Sequence, residues 1–407
     1  MDFEIVDELE AHRNAARAWL DRYFEPRWAA EQKKTGSYHT PELHALLAEQ
    51  GWYGAGWPAE YGGTERDPDL ARALLQELAR VGVRHDGWST TSLVLNTLLT
   101  VGTDEQKRAY IPAGLRGEVV IALGYTEPDS GSDVAAAKTR VVRDGAGWRV
   151  TGQKMFTSTA DHATHVFLLG RTDLDVAKHR GLTMFLVSTD SPGFECHLVA
   201  TLGGQRTTAT FYNDVAVPDS ARIGAVDGGW AVMKVALVHE RGGGSVGARP
   251  PSNTSGSIGD PKTTLPLKVA AWARSTRRPD GTLVWDDPTV AERLANMAVE
   301  NEIAKLLWMR PAWVARTGEL PTTEGSAAKL YSTEVAQRHQ SDMLDIIGAE
   351  AVMHRDAEGA PLGAAVEEAF RYSVVGTIYG GSSEIMREII AERQLGLPRV
   401  RDGKPGV

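Results

Sequence analysis

The sequence has a single cysteine, no long apolar run and no excess of basic residues. Cys196 is the one cysteine among 407 residues, which excludes a disulfide framework and any cysteine-based zinc or iron–sulfur site. No segment reaches the ~18 consecutive apolar residues of a membrane span, and Met1–Glu10 lacks the basic and apolar regions of a signal peptide. The net charge of −9 disfavours a dedicated binder of nucleic acid or anionic membrane. We therefore expect a soluble, cytoplasmic protein.

The periodicity of apolar residues changes twice along the chain. Residues 1–117 have the three- and four-residue spacing of helices, residues 118–226 contain seven short β-branched or aromatic runs, and helical spacing returns over 227–407. A stretch rich in Pro, Gly, Ser and Thr, at about 249–266, predicts a mobile insertion. The fold class predicted is α+β and multidomain, with an N-terminal helical domain, a middle antiparallel β-domain and a C-terminal helical bundle.

The individual elements can be predicted from the same patterns. The predicted helices are Leu9–Phe24, Pro41–Gln50, Pro68–Val83, Trp88–Val101, Asp104–Arg116, Gly229–Gly244, Ala291–Met309, Thr323–Gly348 and Val366–Arg393. The predicted strands are Val119–Leu123, Thr139–Val142, Trp148–Thr151, His165–Leu169, Leu182–Val187, Cys196–Ala200 and Thr208–Tyr212. Thr40-Pro41 is a helix start in which the threonine caps and the proline fits the first turn.

A glycine-rich run, Gly242–Gly247, matches both a dinucleotide-binding pattern and the G-x-S-x-G pattern of serine hydrolases, with Ser245 as the serine. Both patterns need a strand before the run and a helix after it. Here a helical pattern precedes it, and Arg249-Pro250-Pro251 follows. The run is therefore interpreted as a helix end at which backbones pack closely. His162 and His165 lack carboxylates at ligand spacing, so we predict no metal site there.

Glu240 stands out because it lies on the apolar face of a predicted helix. Trp230, Met233 and Leu237 precede it at three- and four-residue steps, so all four side chains share one face. A carboxylate is rarely buried without a partner. Two readings stay open: a structural ion pair with an arginine elsewhere, or a general base whose pKa burial raises toward neutrality.

Three segments stand out for their order, which agrees with the helical, β, helical organisation: Tyr125–Asp133 (YTEPDSGSD), Gly152–Ser158 (GQKMFTS) and Ile378–Ile385 (IYGGSSEI). Together they resemble the acyl-CoA dehydrogenase family. The resemblance covers nearly the whole chain. It implies a helical domain, a β-domain and a four-helix domain, with FAD bound between the last two, an acyl-CoA substrate and an electron-transfer flavoprotein as acceptor.

The resemblance also implies roles for particular residues. Those expected at the flavin ring are Tyr125, Thr126, Phe156 and Ser158. Ser132 is expected near the thioester or pantetheine of the substrate, and Ser382 and Glu384 match positions that contact the FAD phosphates or ribose.

The catalytic glutamate departs from the usual pattern. Most family members carry it directly after the tyrosine of the third segment, where this chain has Gly380. A minority place it on the long helix at the position that Glu240 matches, so we predict that Glu240 is the base that removes the α-proton while the β-hydride passes to the flavin. Arg241 is an expected family arginine that steadies the site, and the backbone N–H near Gly380 is expected to bond the thioester carbonyl.

The residues that complete the FAD adenine site from a second subunit also depart from the family pattern. The family usually has an Arg-x-x-Phe-Gly stretch and a Gln-x-x-Gly-Gly-x-Gly stretch at this site. The first has no match near Ala248–Asp260. The second corresponds to Asp345–Ala351, where the glutamine and two of the glycines are replaced. Some bacterial members form α2β2 heterotetramers in which each subunit supplies half a site, so both a homo- and a hetero-tetramer are considered. Glycines at 380 and 242–244 leave space that side chains would otherwise fill. This favours a branched, cyclic or steroid-side-chain acyl-CoA.

Three other functions remain as alternatives. One is a catalytically silent or half-site partner subunit, and another is an acyl-CoA oxidase or flavin monooxygenase on the same fold. The third is a serine hydrolase that uses Ser245.

Overall fold

The computed structural model describes residues 6–240, 265–316 and 323–398. These residues form two compact units, one within 6–240 and the other within 265–398. The division into domains at 117 and 226 stays a prediction. Within the described ranges, no helix has both the length and the apolar character that a membrane crossing requires.

The first unit begins with six helices that enclose an apolar core. They are α1 (Val6–Tyr23), α2 (Pro26–Thr35), α3 (Pro41–Glu49), α4 (Pro68–Arg80), α5 (Asp86–Val101) and α6 (Asp104–Leu115). Asp67 caps α4, and Thr103 and Gln106 form a capping box on α6. Leucines at helical spacing on α3, α4 and α5 are fully buried, which explains why the periodicity located these helices.

Two features of this helical region differ from the sequence interpretation. The patterns did not predict α2, because it buries only Trp28 and Gln32 and so gives almost no periodic signal. Helix α3 does begin at Pro41, but the Thr40 hydroxyl does not cap it. That hydroxyl accepts a hydrogen bond of 2.9 Å from Gln32 Nε2, so it joins α2 to α3.

Eight strands of the described residues form one mostly antiparallel sheet. They are β1 (Ile121–Gly124), β2 (Arg140–Asp144), β3 (Gly147–Lys154), β4 (His165–Arg171), β5 (Leu182–Ser188), β6 (Phe194–Ala200), β7 (Arg206–Pro218) and β8 (Arg222–Ile223). The order is β6-β7-β3-β2-β4-β5-β8, and β1 pairs with β4 in parallel, Ile121 opposite His165. Both faces of β4 and β5 are buried, so these strands lie at the centre of the unit. Helix α7 (Gly229–Glu240) packs against α5 and β5.

Buried histidines form a cluster in the first unit. The rings of His39, His44 and His85 lie within 6.4 Å of one another, and His162 lies 5.2 Å from His39. The Tyr53 hydroxyl bonds His44 Nδ1 at 2.9 Å and also contacts His85 Nε2. Burial lowers the pKa of His39 to about 3 and that of His44 to about 4. Both histidines are therefore neutral in the folded protein.

We expect this cluster to destabilise the protein in mild acid. The two pKa values lie below the ~6.5 of an unfolded histidine, so below pH ~6.5 the unfolded state binds more protons than the folded state. The free energy of unfolding therefore decreases as the pH is lowered. The expected loss is roughly 2 kcal/mol per histidine between pH ~6.5 and ~5, since one pKa unit equals about 1.4 kcal/mol. Urea unfolding at both pH values measures it. His39→Gln should flatten the dependence, whereas His354→Gln, on an exposed histidine, should leave it unchanged.

The second unit is a helical bundle. Its helices are α8 (Leu265–Ser275), α9 (Pro288–Arg316), α10 (Glu324–Ile347), α11 (Ala365–Gly376) and α12 (Ser383–Arg393). Helices α9, α11 and α12 pack against α10, and α8 packs against α9. The predicted stretch Val366–Arg393 is divided, since α11 and α12 are separated by the loop 377–382. The predicted insertion, at about 249–266, lies outside the described residues except for Leu265 and Pro266, which begin α8.

Candidate active site

A buried ion pair fixes the loop that follows β1. Glu127 accepts bonds of 2.7 Å from Lys154 Nζ, 2.6 Å from the Lys138 N–H and 2.8 Å from the Thr139 N–H. The Lys154 ammonium also donates to the Tyr125 carbonyl at 3.1 Å, and its side chain is 0% exposed. This pair therefore joins two of the three recognised segments.

Burial and the partner's charge act in opposite directions on each pKa of the pair. Burial lowers the pKa of Lys154 to about 8, against the opposing effect of Glu127. For Glu127, burial alone would raise the pKa, but Lys154 and the bonds from Thr139 and Lys138 lower it below its usual value. Sequence reasoning gave neither residue a role. The signal that could have found them is a lysine at the inward-facing end of a strand, with a glutamate in the neighbouring loop.

Tyr125 and Thr126 lie directly beside the segment that contains Phe156. The Met155 N–H donates to the Thr126 carbonyl at 2.8 Å, which pairs the two segments. The Tyr125 hydroxyl is buried and has no hydrogen-bond partner among the described residues. Burial raises the pKa of Tyr125 well above its usual value, and the nearby negative charge of Glu240 adds to the rise. The structure therefore brings Glu240, the last residue of α7, close to Tyr125.

The backbone conformation and the exposure of Phe156 are typical of a residue that contacts a ligand. Its φ is 57°, in the left-handed region that costs a bulky residue of order 1–3 kcal/mol. Phe156 is nevertheless 60% exposed, so packing against the described residues does not offset that cost. Two residues later, the Ser158 hydroxyl bonds the Thr207 hydroxyl of β7 at 2.9 Å. Phe156 and Ser158 are thus held on one turn at the end of β3.

Ser132 lies on the exposed part of the loop that follows β1. The next residue, Asp133, pairs with Lys178 at 2.7 Å, and Arg171 donates to the carbonyls of Ala135 and Ala137. These bonds fix the part of the loop that follows the serine. Its side chain therefore faces outward from an anchored backbone.

The remaining predicted residues belong to the second unit. Gly380 and Gly381 have φ values of 62° and 93°, which glycine adopts without strain. Ser382 is the N-cap of α12 and accepts from the Ile385 N–H at 3.4 Å. Glu384 lies in the first turn of α12, where bonds from its own backbone N–H and from Ser382 lower its pKa. Gly380, Ser382 and Glu384 are therefore grouped at one helix N-terminus.

Several predicted features fall outside the described residues or away from this site. Arg241, the glycine-rich run and Ser245 lie in 241–264, and so does the missing stretch near 248–260. Asp345, at the position of the second altered stretch, is exposed and lies 3.6 Å from Arg293. His162 contacts Arg206 Nη2 at 3.1 Å, and His165 begins β4. No cluster of three or more potential metal ligands occurs in the described ranges.

The fold and these motifs define a class of enzyme. Models of the acyl-CoA dehydrogenase N-terminal, middle and C-terminal domains match residues 6–118, 122–215 and 227–395. The chain belongs to the acyl-CoA dehydrogenase family and is an oxidoreductase that dehydrogenates acyl-CoA. This confirms the resemblance and the α+β fold class predicted from the sequence.

Similar proteins include a curated relative and two solved complexes. The chain is 33% identical to the acyl-CoA dehydrogenase FadE26 of Mycobacterium tuberculosis, over 98% of this chain and 99% of that one. It is 34% identical to a chain of the "Tcur3481-Tcur3483 steroid ACAD", with a TM-score of 0.85 and coverage of 98% and 100%. It is 32% identical to a chain of the ChsE4-ChsE5 complex from Mycobacterium tuberculosis, with a TM-score of 0.84 and coverage of 98% and 100%.

Proposed function

We propose that this chain, assembled with a second acyl-CoA dehydrogenase-type subunit, dehydrogenates the α,β bond of a bulky acyl-CoA, with Glu240 as the base. The observation that carries the proposal is that Glu240, the last residue of α7, lies close enough to Tyr125 to raise its pKa, and Tyr125 is a residue that the resemblance assigns to the flavin ring. A bulky substrate is supported by the similarity of this chain, over 98% of its length, to a chain of the complex named "steroid ACAD".

The described residues fit a flavin. Phe156 has an exposed aromatic ring on a strained backbone, and Tyr125 has a buried hydroxyl with no partner among the described residues. Both provide contacts that the described part of the chain leaves unused. FAD, when bound, supplies the acceptor for the hydride that leaves the β-carbon. In this proposal Phe156 covers one face of the ring and excludes water, while Tyr125, Thr126 and Ser158 orient its edge. Ser382 and Glu384 hold the phosphate or ribose part.

In this proposal, different residues of the chain act on different parts of the substrate. The Glu240 carboxylate takes the α-proton, and Arg241 steadies the site around it. A backbone N–H at Gly380 donates to the thioester carbonyl and so stabilises the negative charge that develops there. Ser132 lies near the thioester or pantetheine. Because Gly380 has no side chain, the space that a glutamate fills in most relatives is available to a bulky acyl group.

A partner subunit is supported by the surface of the bundle as well as by the relatives. Four apolar residues of α9 are exposed and lie at three-, four- and seven-residue steps, so they share one face; they are Val299, Ile303, Leu306 and Trp313. Exposed apolar residues that share one helix face favour a contact with another chain. Both solved complexes described above are named for two different chains. The proposed acceptor of the electrons is an electron-transfer flavoprotein, and the proposed location is cytoplasmic.

The experiment is expression of the chain alone and together with a candidate partner of the same family. We expect the chain alone to bind FAD incompletely, because Asp345 replaces a residue that the family uses at the adenine end. The complex should carry flavin and reduce a dye with steroid-side-chain or branched acyl-CoA faster than with short linear acyl-CoA. Stoichiometric FAD on the single chain would contradict the heteromer. Rapid oxygen consumption would favour an oxidase, and a folded complex that reduces no acyl-CoA would support a silent subunit.

A further inference from the structure

A buried lysine of the second unit lies under the loop that joins α11 to α12. Lys329, on α10, is 4% exposed, and its Nζ donates a 2.5 Å hydrogen bond to the Gly381 carbonyl. Burying an ammonium group is costly unless hydrogen bonds and nearby charges compensate for it. The lysine therefore fixes the position of that carbonyl.

The orientation of one carbonyl determines where the neighbouring N–H points. A trans peptide is planar, and its carbonyl and N–H point in opposite directions. Since the Gly381 carbonyl points inward to Lys329, the Ser382 N–H of the same peptide points outward. Within the ranges that the structure describes, the N–H groups of Gly380, Gly381 and Ser382 have no hydrogen-bond partner in the chain. Three consecutive amides are thus left for a ligand.

Other groups around this loop are polar and unsatisfied. Ser326, one turn before Lys329 on the same face of α10, is buried, and so is Ser383, which directly follows Ser382. Neither hydroxyl has a hydrogen-bond partner among the described residues. The N-terminus of α12 adds its partial positive charge at the same place. The loop therefore combines a buried cation, unpaired amides and a helix N-terminus.

We propose that Lys329 is a positioning residue that holds the amides of Gly380, Gly381 and Ser382 toward an oxygen that carries negative charge. It acts through the Gly381 carbonyl and does not touch the ligand. The oxygen belongs either to the thioester carbonyl of the substrate or to a phosphate of the cofactor. The inference rests on the proposed function, because that function supplies both ligands.

The test compares Lys329→Met with Lys305→Met, a matched change at a partly exposed lysine on α9. Lys329→Gln, which keeps a polar group in the buried position, is the second variant in case the methionine prevents folding. The full chain is used, in the assembly in which it purifies with flavin. For each folded variant we measure the FAD dissociation constant by dialysis, kcat and KM with an acyl-CoA that the wild type oxidises, and the loop in a crystal structure.

The two ligands give different results. If the oxygen is a phosphate, FAD binding should weaken about tenfold or more. If it is the thioester carbonyl, kcat should fall about tenfold or more with a smaller change in KM, since one such donor contributes about 10²–10³-fold in kcat. Wild-type values of both, or an unmoved Gly381 carbonyl, in a folded Lys329 variant overturn the proposal. If the wild type binds FAD but oxidises no acyl-CoA, the proposed function fails, while FAD affinity still tests Lys329.

Discussion

Glu240→Gln should lower the rate of flavin reduction by acyl-CoA about 10³-fold while the protein stays folded and binds flavin. The glutamine is close to the glutamate in size but cannot accept a proton, and a positioned general base contributes about 10²–10⁴-fold. A factor of 10³ corresponds to about 4 kcal/mol in the activation free energy. Stopped-flow measurement of the visible flavin absorbance, without oxygen, gives this rate directly.

A second readout separates proton removal from hydride transfer. Exchange of the substrate's α-hydrogen with deuterated water, followed by mass spectrometry, requires only the base. We expect this exchange to disappear in Glu240→Gln and to persist in Glu195→Gln, where an exposed glutamate on β6 pairs with His197. Exchange at the wild-type rate in the Glu240 variant would rule out this residue as the base.

The positions of helices and strands were the easiest part of the structure to predict. The seven predicted strands correspond to β1–β7, because alternating or continuously apolar runs report directly on the faces that are buried. Pairing was harder to predict. The parallel contact of β1 with β4 joins Ile121 to His165, far apart along the chain, and no local pattern specifies such a partner. The two-residue β8 is too short to give a periodic signal.

The sequence motifs indicated the residues of the candidate site, but they did not indicate which charged residues are buried and paired there. Apolar spacing placed Glu240 on a helix face, and its position beside Tyr125 required the folded chain. Glu127 and Lys154 were quoted within the motifs, but their pairing depends on the neighbouring loop and strand. Lys329 fits an ordinary helical pattern, so nothing local indicates that it bonds Gly381. Buried charges are determined by distant partners, which a single sequence does not show.

The second large effect is expected from Lys154→Met, which should lower the free energy of unfolding by about 3–5 kcal/mol. Methionine fills similar space but leaves the buried Glu127 carboxylate without its 2.7 Å ammonium partner. The carboxylate keeps its two backbone N–H donors, which favours the lower end of that range. Urea unfolding near neutral pH measures the change, and Lys138→Met, in the exposed pair with Asp129, should cost at most about 1 kcal/mol.

The double variant Glu127→Gln with Lys154→Met tests the cause. If the loss comes from an unpaired buried charge, neutralising Glu127 should recover much of it, because replacing both members of a buried pair costs less than removing one. Simple addition of the two single losses would instead mean that the residues act independently. Because Lys154 also bonds the Tyr125 carbonyl, FAD affinity should fall in Lys154→Met and recover less than stability does in the double variant. The ion pair thereby links the stability of the sheet to the position of the loop that is proposed to contact the flavin ring.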